Sequence, residues 1–346
     1  MFMNFRKYLK ISSEEISQKL EYFFSQWDSY IQKSTPQITH LNHLFIDRVS
    51  GGKMIRGALV KLGYELVTQE PNKEILKTSC AFEILHSALL IHDDLIDKSD
   101  IRRGKSTIHT ILGNNHYGTS QALTLGDMGF FLAIKLIAES NFPADAKNRA
   151  ISFFSDAVNN TIQGQMLDVE IPHRKTPPRK EDVLTIQKLK SAYYSIVAPL
   201  SIGALLGGAK SQLLRDLKEF GENAGIAFQI QDDILGIFGD EKKIGKSVTS
   251  DIEEGKNTLL IFFASNNANP KQKIYLHKYY GTGKIKSRYY KLVKEIFVDT
   301  GALSYAYSQA FFYMNQAKKV IRQITQDSRK SVLLHSLVDY LVNRSA

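Results

Sequence analysis

Three carboxylates close together at the end of one apolar run set the chemistry of this chain. They lie in His86-Ser87-Ala88-Leu89-Leu90-Ile91-His92-Asp93-Asp94-Leu95-Ile96-Asp97. Wound as a helix of about 3.6 residues per turn, the stretch puts His86, Leu89, Leu90, Asp93, Asp94 and Asp97 on one face. Carboxylates at i, i+1 and i+4 repel one another and weaken a helix, so a cation is expected beside them. Mg²⁺ suits the patch, being a hard ion held by one or two carboxylates together with substrate phosphates. Arg102 and Arg103 follow directly, and guanidinium forks bind phosphate oxygens bidentately. A solvated charged turn is the plain alternative.

A second apolar run ends in the same way, at Phe228-Gln229-Ile230-Gln231-Asp232-Asp233-Ile234-Leu235-Gly236. Behind it come Gly245-Lys246-Ser247, Ser250-Asp251 and Gly255-Lys256-Asn257-Thr258, and upstream of both runs lies Gly51-Gly52-Lys53-Met54-Ile55-Arg56-Gly57. In their types and order these motifs resemble the trans-isoprenyl diphosphate synthases. These form the polyprenyl synthetase family of farnesyl and geranylgeranyl diphosphate synthases, and the geranylgeranyl enzymes are nearest in pattern. The resemblance runs from about Leu41 to Thr258.

It implies an all-α, single-domain isoprenoid-synthase bundle of long helices around a central apolar cavity, with C-terminal helices over 259–346. It also implies condensation of isopentenyl diphosphate with an allylic diphosphate, head to tail and trans. Two or three Mg²⁺ ions would be held by Asp93, Asp94, Asp97, Asp232 and Asp233. Lys53, Arg56, His86 and Arg103 correspond to the isopentenyl diphosphate site. Arg102, Lys190, Ser191, Gln229, Lys246 and Lys256 correspond to residues that meet the allylic substrate, with Ser191 keeping the hydroxyl of the family's threonine. Gln165 and Asp168 are expected to project into the cavity. Gly236 departs from the pattern: the family commonly has a third aspartate there, which puts metal affinity on that side in question.

Chain length is expected to depend on Ala88 and Leu89. Both precede the first motif by four or five residues, where family members that stop at farnesyl often carry an aromatic. Neither is large enough to block growth, so geranylgeranyl diphosphate is the expected product. Phe82, Phe130 and Phe131 are candidates for the stop. Longer-chain or farnesyl synthesis remains open. A terpene cyclase would leave Lys53, Arg56 and Arg103 without a second diphosphate, and a non-catalytic subunit of a heteromeric synthase would be degenerate where Asp93, Asp94 and Asp97 are intact.

The rest of the chain agrees. Of its 346 residues 43% are hydrophobic, enough for a sizeable core. No proline occurs over 72–142 or 271–346, so long helices are permitted, and period-2 alternation is hard to find. Ser12 with Glu15 reads as a capping box opening the first helix, and Lys53 and Arg56 read as its counterpart's first turn further on. The net charge of +10 raises nucleic acid as a partner. Much of it, however, lies in 271–294 as a solvated face, with no nucleic-acid-binding motif. The uncharged segment 191–209 contains Ser, Tyr, Gly and Pro199 and reads as a core helix rather than a membrane span. A lone cysteine, Cys80, excludes an intrachain disulfide and fits a cytoplasmic protein. Homodimerisation is expected from the resemblance.

Overall fold

The computed structural model describes residues 3–174, 178–240 and 248–342. Its elements are helical apart from one short ladder, in agreement with the all-α expectation. Packing divides the chain into two compact units. The first comprises Met1–Ser155, Ala198–Leu217 and Asp327–Leu333; the second comprises Asp156–Val197, Lys218–Gln326 and Leu334–Ala346.

The first unit is built on α1 (Phe5–Ser34), α2 (Thr39–Val49), α3 (Ile55–Val67) and α4 (Ile75–Ile96). The expected capping box does not start α1. Asn4 does, its side chain accepting from the Lys7 N–H, because Phe5, Tyr8 and Leu9 extend the buried stripe upstream and leave Ser12 fully buried inside the helix. Between α2 and α3 the chain turns through Gly51 and reaches Met54 in the left-handed region, φ 50°. Lys53 therefore precedes α3 rather than standing in its first turn, and Arg56 is the second residue of that helix.

After α4 a hairpin pairs β1 (Ile101–Arg102) with β2 (Lys105–Ser106). Both central residues are left-handed, Arg103 at φ 53° and Gly104 at φ 74°, as a type I′ turn requires. The short helix α5 (Ile108–Ile111) leads to α6 (His116–Ala138), which packs along α4. At their crossing Gly126 leaves room for the His92 ring, since a Cβ there would lie 2.2 Å from its Nε2.

Helix α9 (Ala198–Leu206) is buried along its whole length against α3. The two backbones touch. A Cβ on Gly203 would lie 1.9 Å from the Val60 carbonyl oxygen, and one on Gly63 would lie 2.1 Å from that of Leu200. Backbone oxygens cannot swing aside, so Gly203→Ala is expected to cost about 3 kcal/mol through overpacking, measured by urea denaturation.

Helix α7 (Ala144–Glu170) and helix α10 (Ser211–Phe238) each run through both units. Within the second unit α8 (Lys180–Ile186) continues into a π-helical stretch, Gln187–Val197. That stretch is pressed by glycines of two helices: Cβ atoms would meet Lys190 N at 2.3 Å from Gly164 of α7 and Ala192 Cβ at 2.4 Å from Gly225 of α10. The unit continues with α11 (Ser250–Glu254), α12 (Leu259–Asn267), α13 (Pro270–Tyr279), α14 (Ser287–Asp299), α15 (Ala302–Ile324) and most of α16 (Ser328–Val342). Its core gathers Ile230, Ile234 and Ile237 of α10 with Ile252, Leu260, Val293, Phe297 and Ala306.

Among the described residues, His116–Ala138 and Lys180–Leu206 are long and apolar enough to cross a membrane by length and composition alone. The apolar window of the latter is 72% buried inside the fold, as a core helix should be.

Candidate active site

The first acidic motif occupies the last turn of α4. Asp94 is buried and Asp93 half-buried. Arg102 joins them, donating through Nε to Asp94 Oδ1 and through Nη2 to Asp93 Oδ2 at 2.9 Å. Asp97 adds its charge to the same guanidinium. The hairpin that carries Arg102 is fixed by Thr107 Oγ1 donating to the Ser99 carbonyl at 2.8 Å and by Arg48 Nη2 donating to the Ser106 carbonyl at 2.8 Å. Burial pushes Asp94 above the usual carboxylate range even though Arg102 pulls it down.

Two turns earlier, His86 of α4 meets a cationic cluster formed by Arg56 of α3 and Arg103 of the hairpin. Arg103 Nη2 donates to His86 Nε2 at 3.2 Å, so His86 is the acceptor and its ring is neutral. Burial holds the imidazole well below its ordinary pKa, and Arg56, Arg103 and Arg102 lower it further. Glu83, which sequence reasoning passed over, anchors this cluster from within. It is 4% exposed, accepts from the Gly57 N–H at 2.7 Å, and lies near Arg56 and Arg103. Its signal was its place one turn before His86. Gly57 is required here too, since a Cβ would lie 2.9 Å from the Ser79 carbonyl oxygen. Lys53 is exposed at the entrance to α3.

In the second unit the carboxylates of the second motif differ sharply. Asp232 is exposed, whereas Asp233 is 8% exposed and held by two amides. Gln229 Nε2 donates to its Oδ1 at 2.8 Å and Gln187 Nε2 to its Oδ2 at 2.9 Å. Gln187 was not foreseen, because it reaches Asp233 from the π-helical stretch. Burial pushes Asp233 up to about 8; the Gln229 and Gln187 bonds oppose the shift, and the charges of Asp251 and Asp232 add to it. Lys190 pairs with Asp168 at 2.7 Å, Ser191 is half-buried beside it, and Lys256 pairs with Asp251 at 3.0 Å. Lys246 lies outside the described residues.

Of the chain-length positions, Ala88 is fully buried. Its Cβ would lie 2.7 Å from a Cβ on Gly129 of α6, so it packs under that helix. Leu89 is half-buried. Phe131 is 73% exposed and does not serve as a floor, whereas Phe82 is buried edge-on against Phe154 and Phe130 lies against His92.

Among the described residues no three His, Cys, Asp or Glu side chains converge as a ready-made metal cage. The donor set nevertheless fits Mg²⁺, which needs only one or two carboxylates when phosphate oxygens and water complete its shell.

The sequence that builds these acids and phosphate-seeking cations is matched over residues 38–297 by a family model, polyprenyl synthetase. The chain belongs to the polyprenyl synthetase family. Among curated polyprenyl synthetases it is 34% identical to a geranylfarnesyl diphosphate synthase of Aeropyrum pernix over 85% of this chain and 91% of that one. It is 33% identical to a geranylgeranyl diphosphate synthase of Sulfolobus acidocaldarius over 90% and 91%. Among solved structures, a geranylgeranyl pyrophosphate synthase of Corynebacterium glutamicum in complex with isoprenyl diphosphate and magnesium superposes with a TM-score of 0.90. It is 25% identical, covering 99% of this chain and 100% of that one.

Proposed function

We propose that this polyprenyl synthetase is a Mg²⁺-dependent prenyltransferase that condenses isopentenyl diphosphate with an allylic diphosphate to give geranylgeranyl diphosphate or a related polyprenyl diphosphate. One observation carries the reading. Two separate groups gather at α4. His86 with Arg56 of α3 and Arg103 of the hairpin faces an anion directly; two turns on, Asp93 and Asp94 with Arg102 would meet one through Mg²⁺ and the guanidinium. Seven residues of helix separate His86 from Asp93, about 10 Å along the axis. Two diphosphates thus have two seats, as a condensation needs and a cyclase does not.

Arg56, neutral His86 and Arg103 would hold isopentenyl diphosphate, with Lys53 at the entrance. Arg102 would draw the leaving diphosphate oxygens, and Lys190, Ser191 and Gln229 would bind the allylic partner and its developing positive charge. Asp93, Asp94, Asp97, Asp232 and Asp233 would hold two or three Mg²⁺ ions, Asp93, Asp97 and Asp232 being the more accessible and Asp94 and Asp233 buried. Bound Mg²⁺ supplies neutralisation of the departing diphosphate. Fixing both reactants makes the coupling effectively unimolecular, and donors aimed at the separating charge lower the barrier further.

The test is incubation of purified protein with labelled isopentenyl diphosphate and each allylic primer, with products resolved by chain length. Elongation of no primer would refute the reading. Because Ala88 is packed under α6, the wall position is Leu89: Leu89→Phe is expected to shift product towards farnesyl diphosphate, read by the same assay.

The state of Asp233 predicts a pH dependence. Its folded pKa, about 8, lies above the unfolded value of about 4. Folding therefore takes up a proton, and this group's contribution to stability, complete at low pH, is lost between about pH 4 and about pH 8. Binding of Mg²⁺ requires the carboxylate, so apparent Mg²⁺ affinity is expected to rise from about pH 6 to about pH 8, with Asp233→Asn flattening the rise. Mg²⁺ titrations of turnover across that range check it.

The same reading includes a homodimer and a cytoplasmic location. Exposed apolar faces support the dimer: Tyr117 and Phe131 on one side of α6, and Ile162, Met166 and Val169 on one side of α7. The lone buried Cys80 suits a reducing compartment. A monomeric mass at micromolar concentration would refute the dimer.

A further inference from the structure

Gly236 stands four residues after Asp232 and three after Asp233 on α10, on the face of that carboxylate pair. A side chain there has no room. Its Cβ would lie 2.1 Å from Oδ2 and 3.0 Å from Cγ of Asp251. The Asp251 carboxylate thus fills the space from which a third aspartate of the α10 motif would extend.

Asp251 is 5% exposed, and its helix α11 is pinned. Ile252 beside it is fully buried. The helix ends at Gly255, φ 71°, where a Cβ would lie 2.7 Å from the Gly281 Cα. Gly281 N–H donates to the Ile252 carbonyl at 2.8 Å, and Gly283 N–H to that of Glu253 at 3.1 Å. The backbone that carries the carboxylate is therefore held in place by the fold, and Lys256 Nζ lies 3.0 Å from its Oδ1.

We propose that Asp251 supplies the third carboxylate of the second acidic cluster, as a positioning residue for Mg²⁺ bound at Asp232 and Asp233, and that Gly236 is required to admit it. The inference rests on the reading that this cluster binds Mg²⁺. The donors fit: all are hard oxygens, and an ion that keeps most of its waters is oriented as much by neighbouring carboxylates as by direct ligands. Like charge gathered around Asp233, from Asp251 and Asp232, favours a divalent cation over a monovalent one. The Gly at position 236 is then an exchange of donors and not a loss of one.

The test uses the full chain with inorganic pyrophosphate and Mn²⁺ as the probe, free Mn²⁺ being read by electron paramagnetic resonance. Asp251→Asn is expected to weaken Mn²⁺ binding by about tenfold or more, the range for groups that orient a metal site. Gly236→Ala is expected to do the same with little change in thermal midpoint, because its methyl meets only the end of the Asp251 side chain and turns it aside. The pair Gly236→Asp with Asp251→Ala returns a carboxylate from α10 and is expected to recover affinity to within about threefold, which a purely structural role for Asp251 would not produce. Wild-type Mn²⁺ affinity in Asp251→Asn or in Gly236→Ala overturns the proposal. Should Asp251→Asn not fold, the Gly236→Ala titration decides. An Asp232→Ala control separates the two failures: weakening there alone sinks the role of Asp251, whereas no weakening in any variant sinks the cluster as a Mg²⁺ site.

Discussion

Asp93→Ala is expected to lower turnover on the order of 10²–10³-fold, the effect of deleting one group aimed at the departing charge, while leaving the fold intact. The two requirements separate because neighbouring aspartates have different tasks. Asp94 is buried and receives Arg102 Nε, so it keeps the guanidinium in place when Asp93 is gone. Asp93 is half-buried, accepts from Arg102 Nη2 at 2.9 Å, and shares its helix face with Asp97 four residues on. On the proposed reading, removing its carboxylate takes away one oxygen pair for Mg²⁺ and little packing. Initial rates at saturating substrates over a Mg²⁺ titration, paired with thermal melts, check the claim. Near-normal turnover in the variant would remove Asp93 from the metal site, and a collapsed melting midpoint would show that its role is structural.

The long helices were legible because their signals are local. Absence of proline over 72–142 permits α4 and α6, and an apolar run closing on Asp232-Asp233 marks α10, which spans Ser211–Phe238 as its sequence suggests. Helix starts were less so: Ser12-Glu15 has the letters of a cap, but Tyr8 and Leu9 continue the buried stripe past it, and burial outweighs one capping bond of about 1 kcal/mol. His86, Asp93 and Asp94 of α4 could be placed on one face from spacing alone. Those reached across the fold could not. Gln187 meets Asp233 across 46 positions, and Asp251 meets the α-carbon face of Gly236 across 15. Period and propensity say nothing about such contacts. Gly236 therefore reads in sequence as a missing ligand and in three dimensions as space filled by the Asp251 carboxylate. Ala88 and Leu89 show the same limit, since two adjacent apolar residues look equivalent until α6 covers one of them.

Arg102→Leu is expected to lower stability at neutral pH by about 3 kcal/mol, the cost of leaving a buried acid without its counter-charge. Asp94 is 6% exposed, and its carboxyl already lies above the usual range because burial outweighs the pull of Arg102. Without the guanidinium its folded pKa rises further, away from the unfolded value of about 4. A raised carboxyl favours the folded state when protonated, so the penalty is relieved as pH falls through the folded pKa and grows as pH rises past it. The melting gap between wild type and Arg102→Leu is therefore wider at neutral pH than in acid and narrows as pH falls. Arg102→Lys restores a charge without the planar fork that spans both carboxylates, and is expected to recover part of the stability and little of the turnover. Thermal melts across pH decide it: a gap that does not change with pH would mean that Arg102 acts through packing of the hairpin 101–106, and that Asp94 is neutralised by some other group.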